Sequence, residues 1–98
     1  MLRQAKNQPP LFPLGQIVAT PGALAALAAA ERTPQEFLKR HLCGDWGDLC
    51  TEDKRENDLA LLFGNRIFSA YTLQDGLRLW LITEWDRSVT TLLLPAEY

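Results

Sequence analysis

Five residues within ten positions, His41, Cys43, Asp45, Asp48 and Cys50, are of the types that ligate transition metals. Their spacing is H-x-C followed by C-x6-C, without the C-x2-C knuckles that bring two thiolates to one tetrahedral centre. The same residues fit an ordinary helix end, with Cys43 a small buried residue, His41 on the solvent side, and Cys50 just ahead of the next cap. No metal site is assigned. A nucleophilic triad needs a base beside its Ser or Cys, and the chain carries a single His. Its six glycines stand as separate punctuation and not as a phosphate-cradling loop. Glu84, Asp86 and Arg87 charge one hairpin tip, which a solvated turn explains without acid–base work. No catalytic residue and no cofactor is assigned, and a non-enzymatic role is favoured.

The segment Asp45-Trp46-Gly47-Asp48 admits two readings. Trp46 could anchor a partner while Asp45 and Asp48 orient it, or the segment is a helix-to-helix corner whose Trp46 packs as a lid on the core.

The elements that must position these residues are marked by caps and turns. Gly15 to Thr20, with Ile17 and Val18 at its centre, reads as a short strand. Thr20-Pro21 then opens a helix to Ala30 with Leu24, Leu27 and Ala28 on one face. Thr33-Pro34-Gln35-Glu36 predicts a second helix with a capping box, burying Phe37, Leu38 and Leu42 and ending at Gly44. A third helix starts at Thr51, Glu52 and Asp53 and stops at Gly64, with Leu59, Leu62 and Phe63 as its apolar face. From Arg66 on, β-branched and aromatic residues dominate, and Asp75-Gly76 signals a tight hairpin. The fold class is therefore α+β: a short N-terminal strand, three helices, then a three-stranded antiparallel meander packed on the helices. Residues 1–13, with three prolines, read as a flexible tail, and 14–98 as one domain.

A two-residue loop at Asp75-Gly76 predicts Tyr71 opposite Trp80 and Ser69 opposite Ile82, and a tight second turn sets Trp80 against Leu93. Alternation then sorts the meander into two faces. Phe68, Ala70, Leu79, Leu81, Leu92 and Leu94 form the core face. On the other, Tyr71, Trp80 and Leu93 make a row across three strands beside Ile82, where polar residues are the rule for a sheet packed on one side. Either the tail, through Leu11 and Phe12, or a helix covers that face, or it is a partner or dimer surface. The candidate partner-binding residues are Tyr71, Trp80, Leu93, Ile82, Trp46, Asp45 and Asp48.

Composition narrows the partners. With 47% hydrophobic and 22% charged residues the chain is globular in character, and its net charge of −2 disfavours nucleic acid. The longest apolar candidate, Ala23 to Ala30, is far short of the roughly 20 residues a membrane helix needs, so no membrane partner is expected. Two cysteines and no export signal place the chain in the cytoplasm.

Gly44-Asp45-Trp46-Gly47-Asp48-Leu49, Glu52-Asp53 with Asn57, Arg66-Ile67-Phe68-Ser69-Ala70-Tyr71, Ile82-Thr83-Glu84, Asp86-Arg87-Ser88 with Thr90-Thr91, and Leu94-Pro95-Ala96-Glu97-Tyr98 resemble blocks of a family of small proteins. They are carried by bacterial plasmids and integrative elements, some under a label borrowed from restriction enzymes. The resemblance spans about residues 14–98 and has no established catalytic residues to carry over. It implies an accessory protein of a mobile genetic element that modulates or inhibits a host defence system by binding another protein. The partner expected is thus a protein, a second copy of the chain included. The helices-then-meander order is also similar to RelE/ParE-like toxins, which act on RNA or a host enzyme. Arg66, Arg78 and Arg87 are the arginines available for that alternative.

Overall fold

The computed structural model describes residues 9–98. In chain order these form β1 (Gln16–Ala19), α1 (Pro21–Ala29), α2 (Pro34–Leu42), α3 (Thr51–Phe63), β2 (Ile67–Thr72), β3 (Arg78–Thr83) and β4 (Val89–Leu93), with short 3-10 turns at Gln74–Gly76 and Pro95–Glu97. The architecture is α+β, as the sequence predicts, with one correction. The sheet is four-stranded and mixed, in the order β1-β4-β3-β2, because β1 joins it parallel to β4. Hydrogen bonds at both ends hold it there: the amide of Gln16 donates to the Ser88 carbonyl at 2.9 Å and that of Thr20 to the Leu92 carbonyl at 3.0 Å.

Helix starts follow the caps only in part. The Thr20 hydroxyl accepts from the Ala23 amide at 3.1 Å, as an N-cap should. Thr33 makes no such bond, and the expected capping box does not form because Glu36 takes a bidentate hydrogen bond from the Arg32 guanidinium instead. The buried stripes also differ. Helix α1 buries Ala23 and Leu27, leaving Leu24 and Ala28 in solvent, and α3 buries Asn57 and Ala60 while Leu59, Leu62 and Phe63 point outward. Ala60 is small enough to bring α3 close to Ile67 in the shared core, and that closeness puts Asn57 within hydrogen-bonding reach of Phe68.

The hairpin registers decide which side chains meet the helices. Between β3 and β4 the pairs are Trp80↔Leu93 and Ile82↔Thr91, as expected. Between β2 and β3 they are Tyr71↔Leu79 and Ile67↔Thr83, one residue from the expected register. The loop is three residues long: the Leu73 amide donates to the Leu77 carbonyl at 2.7 Å around Gln74–Gly76, with Gly76 at φ 75°. A turn closed by a left-handed glycine adds one residue to the two-residue hairpin, and a one-residue slip reverses every side chain of a strand. Ile67, Ser69 and Tyr71 therefore face the helices, and Phe68, Ala70 and Thr72 face away.

The core lies between the sheet and the three helices. Leu27, Phe37, Leu38, Tyr71, Leu79, Leu81 and Leu92 form its larger part, and Phe12, Trp46, Ala60 and Ile67 the smaller. Of the expected tail, residues 1–8 lie outside those described. Within the rest, Leu11 donates its amide to the Leu42 carbonyl at 2.9 Å and Phe12 is buried against Trp46, so this segment packs on the helix side and not over the opposite sheet face. Among the described residues no helix is long and apolar enough to cross a membrane.

Candidate protein-binding face

The seven candidate residues separate into two places. Asp45, Trp46 and Asp48 sit at the corner between α2 and α3, which docks on the outer edge of β2. The Ala70 amide donates to the Trp46 carbonyl at 3.2 Å, and the Asp48 amide to the Ala70 carbonyl at 2.6 Å. Gly47 makes this possible, since its φ is 79° and a Cβ there would stand 2.0 Å from the Ala70 carbonyl oxygen. Trp46 is buried, with its indole N–H donating to Asp58 at 3.2 Å. Tyr71 belongs to the same corner: its ring is buried, its hydroxyl donates to the Asp45 carbonyl at 2.7 Å, and Arg40 lies 4.5 Å over it.

The charges of the corner are internally matched. Arg40 donates to Asp45 at 2.7 Å and holds that carboxyl below its ordinary range. The Thr72 hydroxyl, 2.6 Å from Asp48, lowers the other carboxyl in the same way. Asp45 and Asp48 thus remain ionised and exposed, and Trp46 is turned inward between them.

Trp80, Ile82 and Leu93 lie on the sheet face away from all three helices, where Trp80 is half-buried and Ile82 and Leu93 are buried. Leu93 stands beside Trp80 as expected, but the flipped β2 replaces Tyr71 with Phe68, whose ring meets Trp80 edge to face at 5.0 Å. Tyr98 closes the other side at 5.8 Å. Phe68, Trp80, Ile82, Tyr98 and Arg66 line a groove of about 280 Å³ with apolar walls. Arg66 donates to the Tyr98 hydroxyl at 3.1 Å and lies 3.5 Å from Glu84, so one edge of the groove carries a matched ion pair.

Tyr98 is held by a contact that no local pattern announces. The Glu97 carboxylate accepts from the Thr20 hydroxyl at 2.5 Å, the Gly22 amide at 3.1 Å and the Leu94 amide at 2.9 Å. An acid therefore sits at the positive end of α1, and the hydroxyl bond from Thr20 leads in holding it below its usual pKa. This pins the C-terminal turn across the sheet.

His41 is the other departure. Expected at the solvent side of α2, it is fully buried beneath Phe12 and Trp46, with Nδ1 2.6 Å from Ser69 Oγ and Nε2 2.9 Å from Thr83 Oγ1. Burial pushes its pKa down to about 3, so the ring is neutral. Cys43 is half-buried and Cys50 exposed, and no group of three potential metal ligands converges among the described residues.

Phe68, Arg66 and Tyr98 are the wall residues that sequence reasoning missed. The signal for Phe68 was present in Leu73 and Leu77, which close a three-residue loop as naturally as Gln74 and Leu77 close a two-residue one. Fold and face together define a two-layer α+β domain with helices on one side of its sheet and an aromatic groove on the other. No family model matches the chain, and neither a curated protein nor a solved structure does.

Proposed function

We propose that this domain is a non-enzymatic protein-binding module that receives an apolar side chain of a partner protein in the Trp80 groove. The observation that carries the reading is the Phe68–Trp80–Tyr98 cluster, in which Tyr98 of the C-terminal turn joins two aromatic rings of a sheet face that α1, α2 and α3 leave uncovered. Aromatic side chains around a concave apolar centre with a polar edge are what protein interfaces use as anchors. The resemblance to accessory proteins of mobile elements adds the context of a modulator of host defence.

The alternative, a toxin acting on RNA or a host enzyme, gains no support from its arginines. Arg87 donates to the Ala60 carbonyl at 2.9 Å and the Asn65 carbonyl at 2.6 Å, and Arg78 lies against the Asp48 carbonyl at 3.4 Å. A second apolar surface competes with the groove: Leu62 is 76% and Phe63 71% exposed on α3. The decisive experiment is affinity capture from the native host with Trp80→Ala and Leu62→Ser variants. Loss of the captured protein with Trp80→Ala alone supports the groove, and loss with Leu62→Ser alone overturns it.

A further inference from the structure

The two edges of the sheet are treated differently. At β2 the edge is sealed: Asn57 accepts from the Phe68 amide at 3.0 Å and donates to its carbonyl at 2.6 Å, and the Trp46–Asp48 corner pairs with Ala70. At β1 no strand lies beyond among the described residues. Gln16 and Thr20 donate their amides inward to Ser88 and Leu92, so by alternation the amides and carbonyls of Ile17 and Ala19 point outward. The strand carries none of the usual guards, neither a Lys nor an internal Pro, and Ile17 is 48% and Val18 39% exposed.

We infer that β1 pairs with β1 of a second copy of this chain, antiparallel about a twofold axis through Val18. The strand and its flank read Gln16-Ile17-Val18-Ala19-Thr20, a run whose polarity is symmetric about Val18. In that register Ile17 faces Ala19 of the other copy, large against small, and the two exchange both hydrogen bonds. The twofold repeats the exchange, so every outward group of the edge is satisfied. Val18 meets Val18 of the other copy on the groove side, Gln16 meets Thr20, and no charge opposes itself. The available edge is short, bounded by Gly15, where a Cβ would strike Ser88, and by Pro21, and the symmetric register uses all of it. A twofold contact of this kind closes on itself and does not propagate. It makes one eight-stranded sheet with both sets of helices on one side and both Trp80 grooves on the other. The contact is small, so the dimer is concentration-dependent and not obligate.

The test is sedimentation equilibrium of the full chain and of Val18→Lys across a wide concentration range, with circular dichroism to confirm folding. Association towards twice the 11.1 kDa chain mass, lost in Val18→Lys, supports the pairing. A chain that stays monomeric up to about millimolar concentration, or a dimer that survives Val18→Lys or falls to Trp80→Ala instead, overturns it. Should Val18→Lys fail to fold, cross-linking decides. In a Cys50→Ser background Val18→Cys should oxidise to a covalent dimer, because Cα atoms of such a non-hydrogen-bonded pair stand about 4.5 Å apart, within disulfide range. Gln16→Cys, which has Thr20 opposite it, should not; equal cross-linking of both overturns the register. The outcome is independent of whether the groove binds a protein.

Discussion

Nδ1 of His41 lies 2.6 Å from the hydroxyl of Ser69, and both side chains are sealed from solvent. The contact begins a directed chain. The Thr90 hydroxyl donates its one proton to the Leu14 carbonyl at 2.8 Å, so in the 2.7 Å contact with Thr83 it accepts. Thr83 then accepts from His41 at Nε2, and Nδ1 accepts from Ser69. The geometry thereby assigns the Nε2–H tautomer, with Ser69 as the donor at its head and His41, Thr83 and Thr90 each both accepting and donating. Helix α2, three sheet strands and the segment before β1 are tied together by a neutral imidazole.

Because the folded pKa of His41 is depressed to about 3 from about 6.5, the unfolded chain takes up a proton first as pH falls. The contribution is complete above pH 6.5 and is lost progressively below it. Between pH 7 and pH 5, above most carboxylate titration, folding should weaken by about 2 kcal/mol. As the chain has one histidine, that slope should be absent in His41→Gln. Urea titrations of both proteins at the two pH values check this; equal slopes would remove the assignment.

Gly47 and Gly64 both occupy the left-handed region, at φ 79° and φ 73°, but only Gly47 is crowded. Gly64→Ala should cost the conformational penalty alone, about 1 kcal/mol. Gly47→Ala adds a collision with Ala70 that pushes the corner off β2 and breaks two backbone hydrogen bonds, for a total of roughly 3 kcal/mol or more. It also exposes the β2 edge, so aggregation on heating should accompany the lower melting temperature. Paired thermal melts with light scattering separate the two variants.

How far the sequence announced all this depends on the range of the interaction. Helix bounds and the β3–β4 register came from local chemistry, such as Thr20-Pro21 and the tight turn after Trp85. The β2 register turned on whether Gln74 belongs to strand or loop, a difference that local propensity scarcely separates, and with it went the exchange of Tyr71 for Phe68 in the groove. Leu59, Leu62 and Phe63 have helical spacing but lose the core to Asn57 and Ala60, whose merit appears only beside Phe68 and Ile67. The Glu97 contact with Gly22 and the burial of His41 join residues far apart in the chain, and no window of sequence contains both partners.

Arg87 supplies the remaining prediction. Its backbone is left-handed at φ 59°, and its guanidinium reaches the Ala60 and Asn65 carbonyls at the end of α3 as well as the Glu84 carbonyl at 3.1 Å in its own hairpin. The ring of Phe12 lies 5.8 Å away. A planar fork spans carbonyls that a single ammonium cannot, so Arg87→Lys should destabilise the domain by about 1.5–3 kcal/mol although it keeps the charge. Arg87→Gly relieves the backbone conformation yet should remain less stable than the wild type, because the guanidinium contacts are worth more than that relief. Denaturation curves rank the variants, and amide exchange should accelerate first at the last turn of α3, where Gly64 donates to Ala60 at 2.9 Å. Unchanged exchange there would mean that the hairpin tip does not hold the helix end.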